Sequence, residues 1–150
     1  MAVYFSYYEF IKSNTANKLG IDNTPTDEHI QDNILELMGV MDKIRERWTY
    51  YCKDNCLSDP QINITSGYRC EALNRAVKGV KSSAHKIGSA CDFRAKNGQN
   101  KALFEVVMEV LKEYDIPFEE LINERDYSWI HFAIKSITGE QKKEIRGYEK

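Results

Sequence analysis

Apolar side chains recur at Ile30, Ile34, Leu37, Met38, Met41, Ile44 and Trp48, a spacing that places them on one face of a helix. Thr24 can cap its start. Pro25 suits the first helical position, where a missing N–H leaves nothing unpaired, so this helix is expected from Pro25 to about Cys52. A second helix is expected over Lys101 to Tyr114, with Leu103, Val106, Val107, Val110, Leu111 and Tyr114 on one face and Pro117 just beyond the end. Shorter apolar runs at Gln61–Ser66, Ser89–Ala95, Glu120–Glu124 and Trp129–Ile134 read as strands, the first by clear alternation. Asp59-Pro60 and Asn97-Gly98 mark turns. Gly67 to Val80 reads as a turn and a short helix around Glu71–Val77, and Gly79 to Gly88 as a polar loop. Tyr4 to Ile21 holds at most a short helix stopped by Gly20. Gly139 to Lys150 is charged and reads either as frayed or as a surface appendage.

Helices and strands are grouped rather than alternating. This predicts an α+β fold with a small antiparallel sheet and helices packed on one side. The 150 residues fit one domain over 1–150, with a core at about 13–137 and a tail at 138–150. A net charge of −2 supplies no global field for nucleic acid or an anionic membrane surface. No run approaches the roughly 20 apolar residues of a membrane span. Met1 to Phe10 carries Ser6 and Glu9 without a basic flank and does not read as a signal peptide, so a protein that is cytoplasmic as synthesised is expected. A monomer is expected as well. Of the four cysteines, Cys52 and Cys56 stand four apart with no histidine nearby, unlike the tighter C-x-x-C pairs of structural zinc sites. Reduced thiols are the better reading.

Three histidines are present. His29 near the start of the long helix reads as a surface residue. His85 sits in a Ser/Gly loop seven residues before Asp92, and His131 follows Trp129-Ile130 in a strand. A catalytic zinc wants three protein donors and one open position, and imidazole and carboxylate both suit it. Gly88 lets the chain turn between His85 and Asp92, and small residues such as Ala90 keep the approach open. Spacing by itself leaves open both a zinc site and two ordinary histidines, one solvated and one hydrogen-bonded.

The segment Ser83-Ala84-His85-Lys86-Ile87-Gly88-Ser89-Ala90-Cys91-Asp92 resembles the S-x-H-x-x-G-x-A-x-D pattern of the zinc D-alanyl-D-alanine carboxypeptidase family, which shares its fold with the hedgehog signalling domain. Ser66-Gly67-Tyr68-Arg69 with Asn74 is similar to that family's S-G-Y-R-x-x-x-x-N, and Trp129-Ile130-His131 to its W-x-H strand. Ser13 to Pro25 resembles the lead-in of the phage and bacterial branch, so the likeness runs from about Ser13 to Ala133. Val77-Lys78-Gly79 departs from the V-G-G common in relatives and touches no expected ligand.

The resemblance implies that His85, Asp92 and His131 hold a zinc ion and that the substrate is a bacterial cell-wall (peptidoglycan) peptide. Cleavage would be of the D-Ala-D-Ala carboxypeptidase or the endopeptidase type. A phage lysis enzyme, which would act on the cell wall after release, and a prophage-derived bacterial protein both fit. The family places a general base shortly before the last histidine. Ser128 cannot serve, and Glu124 in Leu121-Ile122-Asn123-Glu124 matches the branch's L-I-x-E, with Asp126 the alternative. If the two strands form a hairpin over Arg125–Ser128, Glu124 faces Trp129 and Ile122 faces His131, which makes Glu124 a diagonal neighbour of His131. By resemblance Arg69 would bind the scissile carbonyl or a substrate carboxylate. Ser83 would contact substrate or fix the His85 loop. Trp129 would wall the site, and Tyr68 would anchor the core. The competing class is a binding or virion-structural protein that keeps the zinc without catalysis.

Overall fold

Five strands form one sheet in the computed structural model, which describes residues 3–148. The outermost residues of the expected domain and tail, 1–2 and 149–150, lie outside the described residues. The strands are β1 (Ile62–Ser66), β2 (Ala90–Ala95), β3 (Glu120–Glu124), β4 (Trp129–Ala133) and β5 (Glu144–Arg146). Their order is β1-β2-β4-β3-β5, antiparallel except for the parallel β3–β5 edge pair. Helices α1 (Asn14–Leu19), α2 (Glu28–Asp54), α3 (Glu71–Ala76) and α4 (Asn100–Glu113) complete the α+β fold.

One face of the sheet is apolar: Ile62, Ile64, Phe93, Ile130, Phe132 and Leu121 are all buried. Strand side chains alternate between faces, so these positions fall together once the register is fixed. The long helix α2 covers this face with Ile34, Leu37, Met41, Ile44 and Trp48, each at most 1% exposed. From α4, Leu103, Phe104, Val107 and Val110 join the same core. Burying a side chain of this size contributes about 1.5–3 kcal/mol, so the core alone fixes the sheet. The other face is then free to carry polar groups.

One expectation is corrected and one is narrowed. Helix α2 begins three residues later than the Pro25 start suggests, because Asp27 is the cap: its carboxylate accepts from the His29 N–H at 2.7 Å. Thr24 is drawn instead into a turn in which its N–H donates to Asp22 at 3.0 Å. The tail is not simply frayed. Glu144, Ile145 and Arg146 pair with Glu120, Leu121 and Ile122, adding a fifth strand that leaves its own side chains exposed.

Candidate metal centre

Asp92 and His131 are directly opposed across β2 and β4. Opposed residues share a face with Cβ atoms about 4.5–5.5 Å apart, and here His131 Nδ1 comes to 2.9 Å from Asp92 Oδ1. The sheet register therefore supplies two of the three expected donors.

His85 arrives from outside the sheet on a 3₁₀ turn, Ala84–Ile87. Ser83 opens this turn, its hydroxyl accepting from the His85 N–H at 3.2 Å. Gly88 closes it at φ 76°, and a Cβ there would lie 2.7 Å from Ile34 Cγ1 and 2.9 Å from the Ile30 carbonyl. The turn thus lies flat on α2 in a way only glycine permits. Beneath it Ala84, Ala90 and Ala133 pack together, their short side chains letting the turn settle onto the sheet.

The tautomer of His85 is set by its surroundings. Nδ1 lies 2.8 Å from the Gly67 carbonyl, which can only accept, so Nδ1 carries the proton. That leaves the Nε2 lone pair facing Asp92 Oδ1 at 3.4 Å. Gly67 itself passes so close to the Phe10 carbonyl that a Cβ would lie 2.2 Å from its oxygen. The glycine of the Ser-Gly-Tyr-Arg segment is therefore needed to deliver the carbonyl that aims His85.

The donor atoms of His85, Asp92 and His131 all lie within 4.8 Å of one another. In a tetrahedral zinc site with bonds of about 2.0–2.2 Å, neighbouring donors stand about 3.3 Å apart. The two spacings to Asp92, 2.9 and 3.4 Å, bracket that value. Two imidazole nitrogens and one carboxylate form a donor set suited to catalytic zinc, so the residues present fit the ion. One side of Asp92 opens onto a cleft of about 380 Å³ lined also by Thr65, Arg94, Arg125, Ser128 and Trp129.

Electrostatics tie the cluster together. Burial alone would raise the Asp92 pKa, but the hydrogen bond from His131 and the close approach of the His85 ring hold it well below the usual carboxylate range. Burial opposes charge on His131, yet Asp92 and Glu120 raise its pKa to about 9. Arg69 projects its Nη2 to 3.7 Å from Asp92 Oδ2. Ser66 accepts from its Nε at 3.2 Å and Asn74 from its Nη1 at 3.3 Å. Asn74 is in turn held by donating to the Val80 carbonyl at 2.9 Å, which explains the paired Arg69 and Asn74 of the motif. Burial lowers the Arg69 pKa while the Asp92 charge opposes that shift.

The remaining expected residues divide. The β3–β4 hairpin has the anticipated register, with Glu124 opposite Trp129 and Ile122 opposite His131, so Glu124 shares the face of the cluster. Among the described residues its carboxylate has no hydrogen bond or ion pair. Asp126 instead lines a separate cleft with Lys101, Asn123 and Tyr148. Trp129 walls the open cleft, with the Arg125 guanidinium 5.4 Å from its ring centre. Tyr68 is buried in the core at 8% exposure, and His29 is exposed at the start of α2.

One residue next to the cluster was missed in the sequence. Glu120 Oε1 lies 2.9 Å from His131 Nε2, on the far side of the ring from Asp92. The signal was available, since the same hairpin register puts Glu120 opposite Ala133 on the face of His131.

No curated protein matches the chain significantly. The sequence model described as Peptidase M15 matches residues 3–133, a span that contains Arg69, the three clustered donors and the whole β3–β4 hairpin. Given that match over most of its length, the chain belongs to the peptidase M15 family of zinc D-Ala-D-Ala carboxypeptidase-type metallopeptidases.

Proposed function

We propose that this protein hydrolyses a peptide bond in bacterial cell-wall peptides, with zinc held by His85, Asp92 and His131. The observation that carries the reading is the meeting of donor atoms from His85, Asp92 and His131 within 4.8 Å of one another, beside an open cleft. Bound there, zinc would supply Lewis-acid chemistry that acidifies water and polarises a carbonyl.

The chain's own residues do the rest. Glu124 takes a proton on its free carboxylate as water attacks and returns it to the leaving amine. Its position on the His131 face, without a competing partner among the described residues, favours it over Asp126, which borders a different cleft. Arg69 is oriented by Ser66 and Asn74, so its guanidinium is pre-set to bind the scissile carbonyl as charge develops there, with little reorganisation. Ser83 holds the His85 turn through the His85 N–H. Trp129 excludes water from one wall of the cleft. Arg94 and Arg125 make that cleft cationic, which suits a peptide rich in free carboxylates, as cell-wall stem peptides are. A second polar cleft, lined by Arg69, Ser66 and Lys12, shares Thr65 with the first, so an extended peptide can run past Asp92 in either direction.

The test is incubation of the zinc-loaded protein with purified peptidoglycan of several chemotypes, followed by mass analysis of what is released. Free D-alanine indicates the carboxypeptidase type, and larger peptide fragments the endopeptidase type. Unchanged wall material in every chemotype would overturn the reading in favour of a non-catalytic zinc protein.

A further inference from the structure

Glu120 and Arg146 play no part in the chemistry assigned above, yet they contact the cluster in series. Glu120 Oε1 stands 2.9 Å from His131 Nε2, and Arg146 Nη2 donates to Glu120 Oε2 at 2.8 Å. Arg146 comes from β5, beyond the span matched by the family. The two ring nitrogens of His131 point to opposite sides, Nδ1 toward Asp92 and Nε2 toward Glu120. Glu120 is accordingly absent from the group of mutually close donors and is poorly placed to be a fourth ligand.

We infer that Glu120 is a positioning residue for His131, and that Arg146 of the C-terminal strand orients Glu120 in turn. The inference rests on the reading that His131 binds zinc. A histidine that ligates through one nitrogen and donates from the other to a carboxylate is fixed in tautomer and ring angle and becomes a stronger ligand. The Glu120 carboxylate does for His131 what the Gly67 carbonyl does for His85, with a full charge added. Glu120 is 25% exposed and Arg146 57%, so the inner contact carries more of the effect than the outer one.

The readout is zinc affinity, measured by chelator competition on purified, folded protein. Glu120→Ala should bind zinc about 10–100-fold more weakly than the parent. Arg146→Ala should weaken it by less, and Glu120→Gln, which keeps an acceptor in place, should recover most of the loss. Circular dichroism and thermal melts of the metal-free forms check that each variant folds. A second measurement needs only the isosteric variant. In zinc-loaded protein labelled with ¹⁵N-histidine, the His131 Nε2–H proton should resonate far downfield and exchange slowly, and it should move upfield in Glu120→Gln because a neutral acceptor makes the weaker bond.

Parental zinc affinity in a folded Glu120→Ala, or an Nε2–H signal that does not move in Glu120→Gln, would overturn the inference. So would a loss of turnover at unchanged affinity, which would make Glu120 a proton carrier. Failure of the parent protein to bind zinc at all is a separate result. It would remove the metal site itself.

Discussion

Glu124 and Glu120 are two carboxylates on one face of β3, four residues apart, and they flank the same histidine. Their partners separate them. Glu120 accepts from His131 and Arg146, and the hydrogen bond from His131 is the main cause of its lowered pKa. Glu124 is bonded to neither. A carboxylate held ionised by two donors makes a good anchor and a poor proton acceptor, whereas a free one can exchange protons. Glu124→Gln should therefore reduce turnover by about 10²–10⁴-fold and leave zinc affinity unchanged. Steady-state kinetics together with metal analysis check this, and near-parental turnover would remove Glu124 from the mechanism.

At the scale of elements, the site depends on how closely the 3₁₀ turn of His85 lies against α2 and the sheet. Gly88→Ala places a Cβ 2.7 Å from Ile34 at a left-handed φ of 76°. The left-handed conformation costs about 1–2 kcal/mol and the forced shift of a packed neighbour about 1–3 more. A loss of roughly 2–5 kcal/mol is expected in denaturant unfolding, with weaker zinc binding because the turn must lift. Unchanged stability would mean that the contact with α2 is not what seats His85. The hairpin register depends on Asn123 and Asn100. Asn123 accepts from the Tyr127 N–H, and Asn100 donates to the Tyr127 carbonyl at 2.8 Å. These bonds hold Arg125, Asp126 and Tyr127 at positive φ and so keep Glu124 and His131 on one face. That register was readable from two apolar runs flanking a four-residue loop. Strand β5 was not readable: three residues with exposed side chains carry no burial pattern, and only their pairing with β3 makes them a strand.

Across the whole molecule the cluster of His85, Asp92 and His131 and the apolar core lie on opposite sides of one sheet. The apolar face and α2 are complete without metal, so chelation should abolish peptidase activity and leave a folded protein. Zinc in hundredfold excess over its dissociation constant stabilises by about 2.7 kcal/mol, which for a domain of this size raises the melting temperature by roughly 5–10 °C. Calorimetry with and without chelator reads both effects. Collapse of the fold on chelation would mean that the metal is structural. No described helix is long and apolar enough to cross a membrane.

The sequence by itself determined the class of fold, because helix and strand periodicities record which faces must leave water. It also pointed to the three residues that cluster, through the likeness of their loop and strand segments to a family motif and not through spacing alone. Only the tertiary structure decided what surrounds those donors. The aim of His85 depends on a carbonyl 18 residues earlier in the chain, and the company of His131 on a carboxylate 11 residues away and an arginine from the far edge strand. Such partners are selected by sheet register and loop packing, which bring distant positions together without leaving a local pattern to read.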